Sequence, residues 1–197
     1  MGSPSSPPIH GNIMQLPVHE IVPLISSSSI QTRVSELGEQ IQNDYTDFDV
    51  PLLLVAVLNG AAIFLADLVR SISRPVEYDF VAFSSYQDGI ETSGVVHRLK
   101  DHTVSPEGKN VIIVEDILDT GFTLQQSLLR ETLAEQGALS VNICILLDKP
   151  SHRRMHIPVA YTGFTIPDHF VVGYGMDYAN QYRALPYIGA LSFDTEL

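Results

Sequence analysis

Short runs of aliphatic and β-branched residues recur along this chain, separated by stretches whose apolar positions repeat every three or four residues. The runs predict strands at Leu52 to Leu58, Val76 to Phe83, Val95 to Leu99, Val111 to Val114 and Val141 to Leu147. Val111 to Val114 is continuously apolar, the pattern of a strand covered on both faces in a parallel sheet. Ile30, Val34, Leu37 and Ile41 fall at helical spacing, behind serines Ser26 to Ser29 that can cap a first turn. Ala61 to Ser71 and Leu124 to Glu135 also read as helices. The segment Pro51 to Val69 is apolar enough to raise the question of a membrane span, but Asn59-Gly60 interrupts it and Asp67 charges its far end. It reads as strand, turn, helix.

Strands alternating with helices predict an α/β domain with a mostly parallel central sheet flanked by helices and joined by right-handed crossovers. Ligands then belong at the carboxyl ends of the strands. Three polar segments fall there: Leu58-Asn59-Gly60-Ala61, Glu115 to Thr123, and Asp148-Lys149. Ser84 to Gly94 differs, being a polar loop with two glycines between strands, long enough for a mobile lid. Beyond Lys149, many Pro, Gly and aromatic residues predict short strands or loops. Residues 21–197 are expected to form a single domain, with residues 1–20 a disordered tail or the start of a hood over the sheet.

Composition narrows the function classes. The chain has 197 residues, 45% hydrophobic and 17% charged, enough apolar material for a sizeable core. A formal net charge of -12 opposes nucleic-acid binding, which needs a basic face. It also repels anionic ligands at long range, so a polyphosphate ligand calls for a divalent cation between it and local carboxylates. The one cysteine, Cys144, lies in an apolar run, so no disulfide can form within the chain, and a reducing, cytoplasmic setting is expected. Met1 to Asn12 has neither the basic start nor the apolar segment of a secretory signal. No G-x-x-x-x-G-K-[ST] motif is present, and Gly173-Tyr174-Gly175 lacks the rest of a dinucleotide fingerprint. His152 and His156 stand four apart, but Pro150 and Pro158 flank them, so surface histidines are expected instead of metal ligands on one helix face.

The densest chemistry lies in Val111 to Thr123, an apolar strand running into carboxylates. Asp119, Thr120, Gly121 and Thr123 then supply an acceptor, hydroxyls and an unhindered backbone just before a helix, whose free N–H groups and dipole favour an anion. In its apolar lead and its E-D-x-x-D-T-G-x-T order, this run resembles the phosphoribosyl pyrophosphate motif of type I phosphoribosyltransferases. Leu58-Asn59-Gly60-Ala61 resembles that family's pyrophosphate loop, and Ser85-Tyr86 with Thr92-Ser93-Gly94 its flexible lid. Leu147-Asp148-Lys149-Pro150-Ser151 resembles its base-side lysine segment. Gly163 to Gly189, with Ile166-Pro167-Asp168, Phe170 to Tyr178 and Tyr182-Arg183, is similar to the hypoxanthine-guanine branch.

The resemblance implies a type I phosphoribosyltransferase fold with a small base-binding hood, and a magnesium-dependent purine salvage reaction between phosphoribosyl pyrophosphate and a 6-oxopurine. It implies a homodimer or homotetramer. Leu58, Asn59, Gly60, Ser85, Tyr86 and Arg183 would meet the pyrophosphate side, and Glu115 and Asp116 the ribose hydroxyls. Asp119, Thr120, Gly121, Phe122 and Thr123 would ring the 5′-phosphate. Asp119 would also be the acid/base at purine N7. Lys149 would donate to the exocyclic oxygen, Phe170 would stack on the ring, and the backbones of Val171 and Asp177 would read its remaining polar edge. Glu115, Asp116 and Asp177 would hold magnesium. Asn59 and Phe122 depart from a pattern that often carries basic residues, so the implied site leans more on magnesium and Arg183. The rival reading is a nucleotide-sensing regulator that keeps the fold without useful catalysis.

Overall fold

The structure, a computed structural model, describes residues 18–84, 97–119, 123–150 and 158–193, with the backbone alone given at 18, 19, 84, 97, 98, 123–126 and 193. The tail Met1 to Asn12, most of the Ser84 to Gly94 segment, Ser85, Tyr86, Thr120, Gly121, Phe122, His152 and His156 lie outside the described residues.

Elements follow in the order β1 (Val18–Ile25), α1 (Ser27–Asp44), β2 (Leu52–Leu58), α2 (Ala62–Ser71), β3 (Glu77–Ser84), β4 (His97–Lys100), β5 (Asn110–Leu118), α3 (Thr123–Glu135), β6 (Ser140–Asp148), β7 (Tyr161–Thr165), β8 (Val171–Val172) and β9 (Ile188–Phe193). The main sheet has the order β4-β3-β2-β5-β6-β7, parallel throughout except for β4, which runs antiparallel at the edge. Alternate residues of the central strands serve opposite layers. Leu52, Leu54, Ala56, Ile112 and Val114 share a core with Ile30, Val34, Leu37 and Ile41 of α1 and Phe64, Leu65 and Leu68 of α2. Leu53, Val55, Val111 and Ile113 pack with Leu129 and Leu133 of α3. Burial on both faces is why β2 and β5 read as unbroken apolar runs. Ser26 caps α1 as its position suggests, its Oγ accepting the Ser29 N–H at 3.1 Å.

Two features depart from the sequence pattern. β5 does not stop at Val114 but continues to Leu118, because β6 extends the ladder beside it as far as the Leu118 and Asp148 pair. Glu115 and Asp116 therefore sit inside a strand instead of following one. The chain also opens with β1, ahead of the amphipathic helix and across the boundary expected at residues 20 and 21. β1 pairs antiparallel with β9, which pairs with β8, giving a separate three-stranded sheet. β1 is an edge strand there, where the missing N–H of Pro23 is tolerated. Among the described residues, no helix is long and apolar enough to cross a membrane.

Asp79, buried in β3, anchors the chain returning from β4. It accepts from the N–H groups of Phe80 (2.7 Å), Val104 (2.9 Å) and Thr103, from Thr103 Oγ1 (3.0 Å), and from Lys100 Nζ (3.2 Å). Burial pushes its carboxyl up, but the N–H groups of Val104, Thr103 and Phe80 and the Thr103 hydroxyl outweigh that and hold it far below its ordinary 3.8. Its stabilising contribution is thus complete above the unfolded pKa near 4 and is lost as pH falls below it. Asp79→Ala is expected to cost about 3 kcal/mol in urea unfolding at pH 7. The gap from wild type should narrow below pH 4; a gap independent of pH would show that the ionised carboxylate is not what stabilises.

Candidate active site

Strand order fixes where a ligand can lie. From β2 the chain builds outward to β3 and β4 on one side, and to β5, β6 and β7 on the other, so the sheet reverses its winding between β2 and β5. At such a switch point the loops leaving the two strands splay apart and open a crevice beyond their carboxyl ends. The Asn59-Gly60 loop leaves β2 there, and Asp116 to Asp119 end β5.

A third segment closes on the same place. The turn from Gly173 to Met176, beyond β8, presses on the loop so tightly that a Cβ at Gly175 would lie 2.1 Å from the Gly60 carbonyl oxygen. A Cβ at Gly60 would lie 1.7 Å from Asp116 Oδ2. Gly60 is thus held between the end of β5 and the hood, and only glycine fits the gap on either side. The peptide bond between Leu58 and Asn59 is cis. Arg183 donates from Nη1 to the Gly175 carbonyl at 2.6 Å, and its Nη2 pairs with Asp177 Oδ1 at 2.6 Å. Asp177 Oδ2 also accepts from the Asn180 N–H at 2.7 Å.

Asp116 faces this cluster. Burial is the main cause that lifts its carboxyl from 3.8 to about 6, with the nearby Asp177 charge adding to the rise; the Ile117 N–H, its own N–H and Arg183 oppose it. A poorly solvated carboxylate with a second one nearby forms a donor set that a hard divalent cation would relieve. Magnesium fits these oxygen ligands. Among the described residues no three His, Cys, Asp or Glu side chains gather as a metal cage. Glu115, next along β5, is 1% exposed.

Further along the strand ends lies a second cluster. Lys149 follows β6, 5% exposed, with Nζ 3.1 Å from Asp119 Oδ2 and 3.8 Å from Asp168 Oδ1. The Lys149 N–H donates to the Leu118 carbonyl at 3.2 Å, so the β5 and β6 ladder itself holds Lys149 and Asp119 side by side. A buried ammonium between two carboxylates is well placed to donate to a neutral carbonyl brought between them. Phe170 is 47% exposed, its ring edge-on to Tyr178 at 5.6 Å, and its carbonyl accepts from Leu191 of β9. Val171 is buried in β8 against Ala190. Of the residues expected at the site, Leu58, Asn59, Gly60, Asp116, Asp177 and Arg183 gather at the crevice, and Asp119 with Lys149 beside it. Thr123 opens α3, with only its backbone described.

Four contributors escaped sequence reasoning: Asp168, Tyr178, Tyr174 and Gly175. Gly175 had a signal, a glycine pair around an aromatic residue with no fingerprint to account for it. Asp168 lies in the Ile166-Pro167-Asp168 segment that carries the resemblance, but nothing local marked its carboxylate as a partner of Lys149.

The chain matches a family model described as the phosphoribosyl transferase domain over residues 26–179. It is 47% identical over 171 residues to the hypoxanthine phosphoribosyltransferase of Salmonella typhimurium, covering 87% of this chain and 95% of that protein. It is 45% identical over 172 residues to the hypoxanthine-guanine phosphoribosyltransferase of Mycobacterium bovis, covering 85% and 84%. Among solved structures, a hypoxanthine-guanine phosphoribosyltransferase from Bacillus anthracis superposes with a TM-score of 0.80 at 41% identity, covering 89% of this chain and all of that one.

Proposed function

Because the chain belongs to the phosphoribosyltransferase family, we propose that its site joins a 6-oxopurine to phosphoribosyl pyrophosphate, releasing pyrophosphate and a purine nucleotide. Hypoxanthine is the proposed base, with guanine as a second. The observation that carries this reading is the placement of Lys149 against Asp119 at the ends of β5 and β6, 3.1 Å apart. A donor and a proton acceptor stand together where a base would arrive.

In the proposed mechanism the pyrophosphate end lies against the Asn59-Gly60 loop, with Arg183 as its fixed cation. Glu115, Asp116 and Asp177 are the proposed magnesium-holding residues; bound magnesium would neutralise the departing pyrophosphate. Positive charge develops on the ribose as the bond to pyrophosphate breaks, and nearby carboxylates favour that cation. On the base side, Lys149 donates to O6, Phe170 stacks on the ring, and the backbones of Val171 and Asp177 complete its polar edge. Asp119 takes the proton from N7 as N9 attacks the anomeric carbon, and gives it back to N7 in the reverse reaction. A 6-amino base would set a donor against the Lys149 donor, and sites built to pair a polar group reject the mismatch strongly. A cytoplasmic location and a homodimer or homotetramer complete the proposal. Cys144, fully buried and with its thiol raised above the usual range by burial, takes no part.

The test is purified protein with phosphoribosyl pyrophosphate and magnesium, offered hypoxanthine, guanine, xanthine and adenine separately, with nucleotide formation followed. Turnover with the 6-oxopurines and not with adenine is expected, and no turnover with any base sinks the proposal. Lys149→Ala should lower kcat/KM for hypoxanthine by about a hundredfold and leave KM for phosphoribosyl pyrophosphate nearly unchanged. An equal loss on both substrates would remove Lys149 from base recognition.

A further inference from the structure

Gly173, Tyr174 and Gly175 are three successive residues with positive φ, at 97°, 49° and 104°. Glycine takes such angles freely, but tyrosine in this region costs about 1 kcal/mol. Strain of this kind persists only where surrounding contacts over-determine it. Here the Tyr174 N–H donates to the Leu185 carbonyl at 2.8 Å and the Gly175 N–H to that of Arg183 at 3.0 Å. The Tyr174 ring is 6% exposed and belongs to the core cluster of Phe64, Leu65 and Leu68 of α2. A phenol buried among aliphatic groups needs a partner, and Tyr174 Oη donates to Asp67 Oδ2 at 2.6 Å. The other oxygen of Asp67 pairs with Arg70 one turn on, which balances its charge on the solvent side.

The consequence is geometric. α2 begins at Ala62, directly after the Asn59-Gly60 loop, and carries Asp67 on its second turn. Tyr174 directly precedes Gly175, whose α-carbon meets the Gly60 carbonyl and whose own carbonyl receives Arg183. The hood therefore touches the unit of loop and α2 at two separated points, backbone on backbone at Gly175 and Gly60, and side chain on side chain at Tyr174 and Asp67 of α2. One contact fixes a distance; the second fixes orientation as well. Lys149 and Asp119 depend on neither point, being held by the β5 and β6 ladder.

We propose that the Tyr174 and Asp67 pair is a positioning device for the pyrophosphate end of the site, holding the Asn59-Gly60 loop in register with Arg183 and Asp177. The inference rests on the transferase reading above. Burial, then the Asp67 hydrogen bond and charge, push the Tyr174 phenol well above its usual range, so it remains a donor at any working pH.

Steady-state kinetics with both substrates tests the pair. Tyr174→Phe and Asp67→Ala are each expected to raise KM for phosphoribosyl pyrophosphate, and for pyrophosphate in the reverse direction, by about tenfold, while KM for hypoxanthine changes by less than about twofold. Asp67→Asn keeps an acceptor oxygen and should return KM to within about threefold of wild type. The double variant Tyr174→Phe with Asp67→Ala should be no worse than the weaker single, because both remove one interaction. Losses that multiply, KM values that rise equally for both substrates, or a Tyr174→Phe protein with wild-type kinetics would overturn the pair. If Tyr174→Phe does not fold, Asp67→Ala, at a helix position with a 32% exposed side chain, carries the same comparison. A wild-type chain without turnover removes the transferase reading and this inference together; an active wild type with unaltered variants removes only the pair.

Discussion

Asp119→Asn is expected to lower kcat with hypoxanthine by about two orders of magnitude, the usual contribution of a positioned general acid or base. KM for phosphoribosyl pyrophosphate should move far less. The substitution is nearly isosteric at a side chain 39% exposed, so the fold should survive, and Lys149 keeps Asp168 as a second carboxylate at 3.8 Å. The loss should fall on the chemical step. A rate within threefold of wild type would remove Asp119 from the mechanism. Its partnership with Lys149 would then be no more than a strand-end ion pair.

Gly175→Ala should be nearly as damaging, for a reason unrelated to proton transfer. At φ 104° an alanine is strained, and its methyl carbon would sit 2.1 Å from the Gly60 carbonyl, a backbone atom with no rotamer to escape into. Either the Asn59-Gly60 loop moves or the hood lifts. About 2 kcal/mol of stability and about a hundredfold in kcat/KM for phosphoribosyl pyrophosphate are the expected losses. Gly108→Ala provides the contrast: φ there is 69°, and a Cβ would meet nothing within 4 Å. It should cost about 1 kcal/mol of stability and leave kinetics untouched. If both variants lose the same stability and neither loses activity, the contact between Gly175 and Gly60 is incidental to function.

The central strands were legible because both of their faces are buried, leaving no polar alternation to confuse the pattern. The run Leu52 to Leu58 coincides with β2, and Ala61 to Ser71 with α2 to within one residue. The far end of β5 was not legible, since Glu115 and Asp116 break the apolar run while the ladder with β6 continues. Pairing with a neighbour, not hydrophobicity, keeps that segment extended. β1 was hidden for a related reason. Val18–Ile25 contains His19, Glu20 and Pro23, and its structure depends on β9, far away in the sequence. Lys149 and Asp119 could be named from their motifs, but nothing local says that they lie within 3.1 Å or that Asp168 approaches from a third segment. Tertiary proximity of this kind arises from strand order, which the pattern of a single strand does not encode.

The pairing of β1 with β9 also bears on the order in which the molecule can be made. The parallel pairs β2 with β3, β5 with β6 and β6 with β7 are each consecutive in the chain and can associate soon after they are synthesised. β1 must wait for a partner at the other extreme of the described chain, with Glu20 opposite Ser192. Closing that span carries the largest loop entropy in the topology, and contacts of such long range form late. A nascent chain can thus assemble the main sheet, with Lys149 already held beside Asp119, before β1 closes on β9.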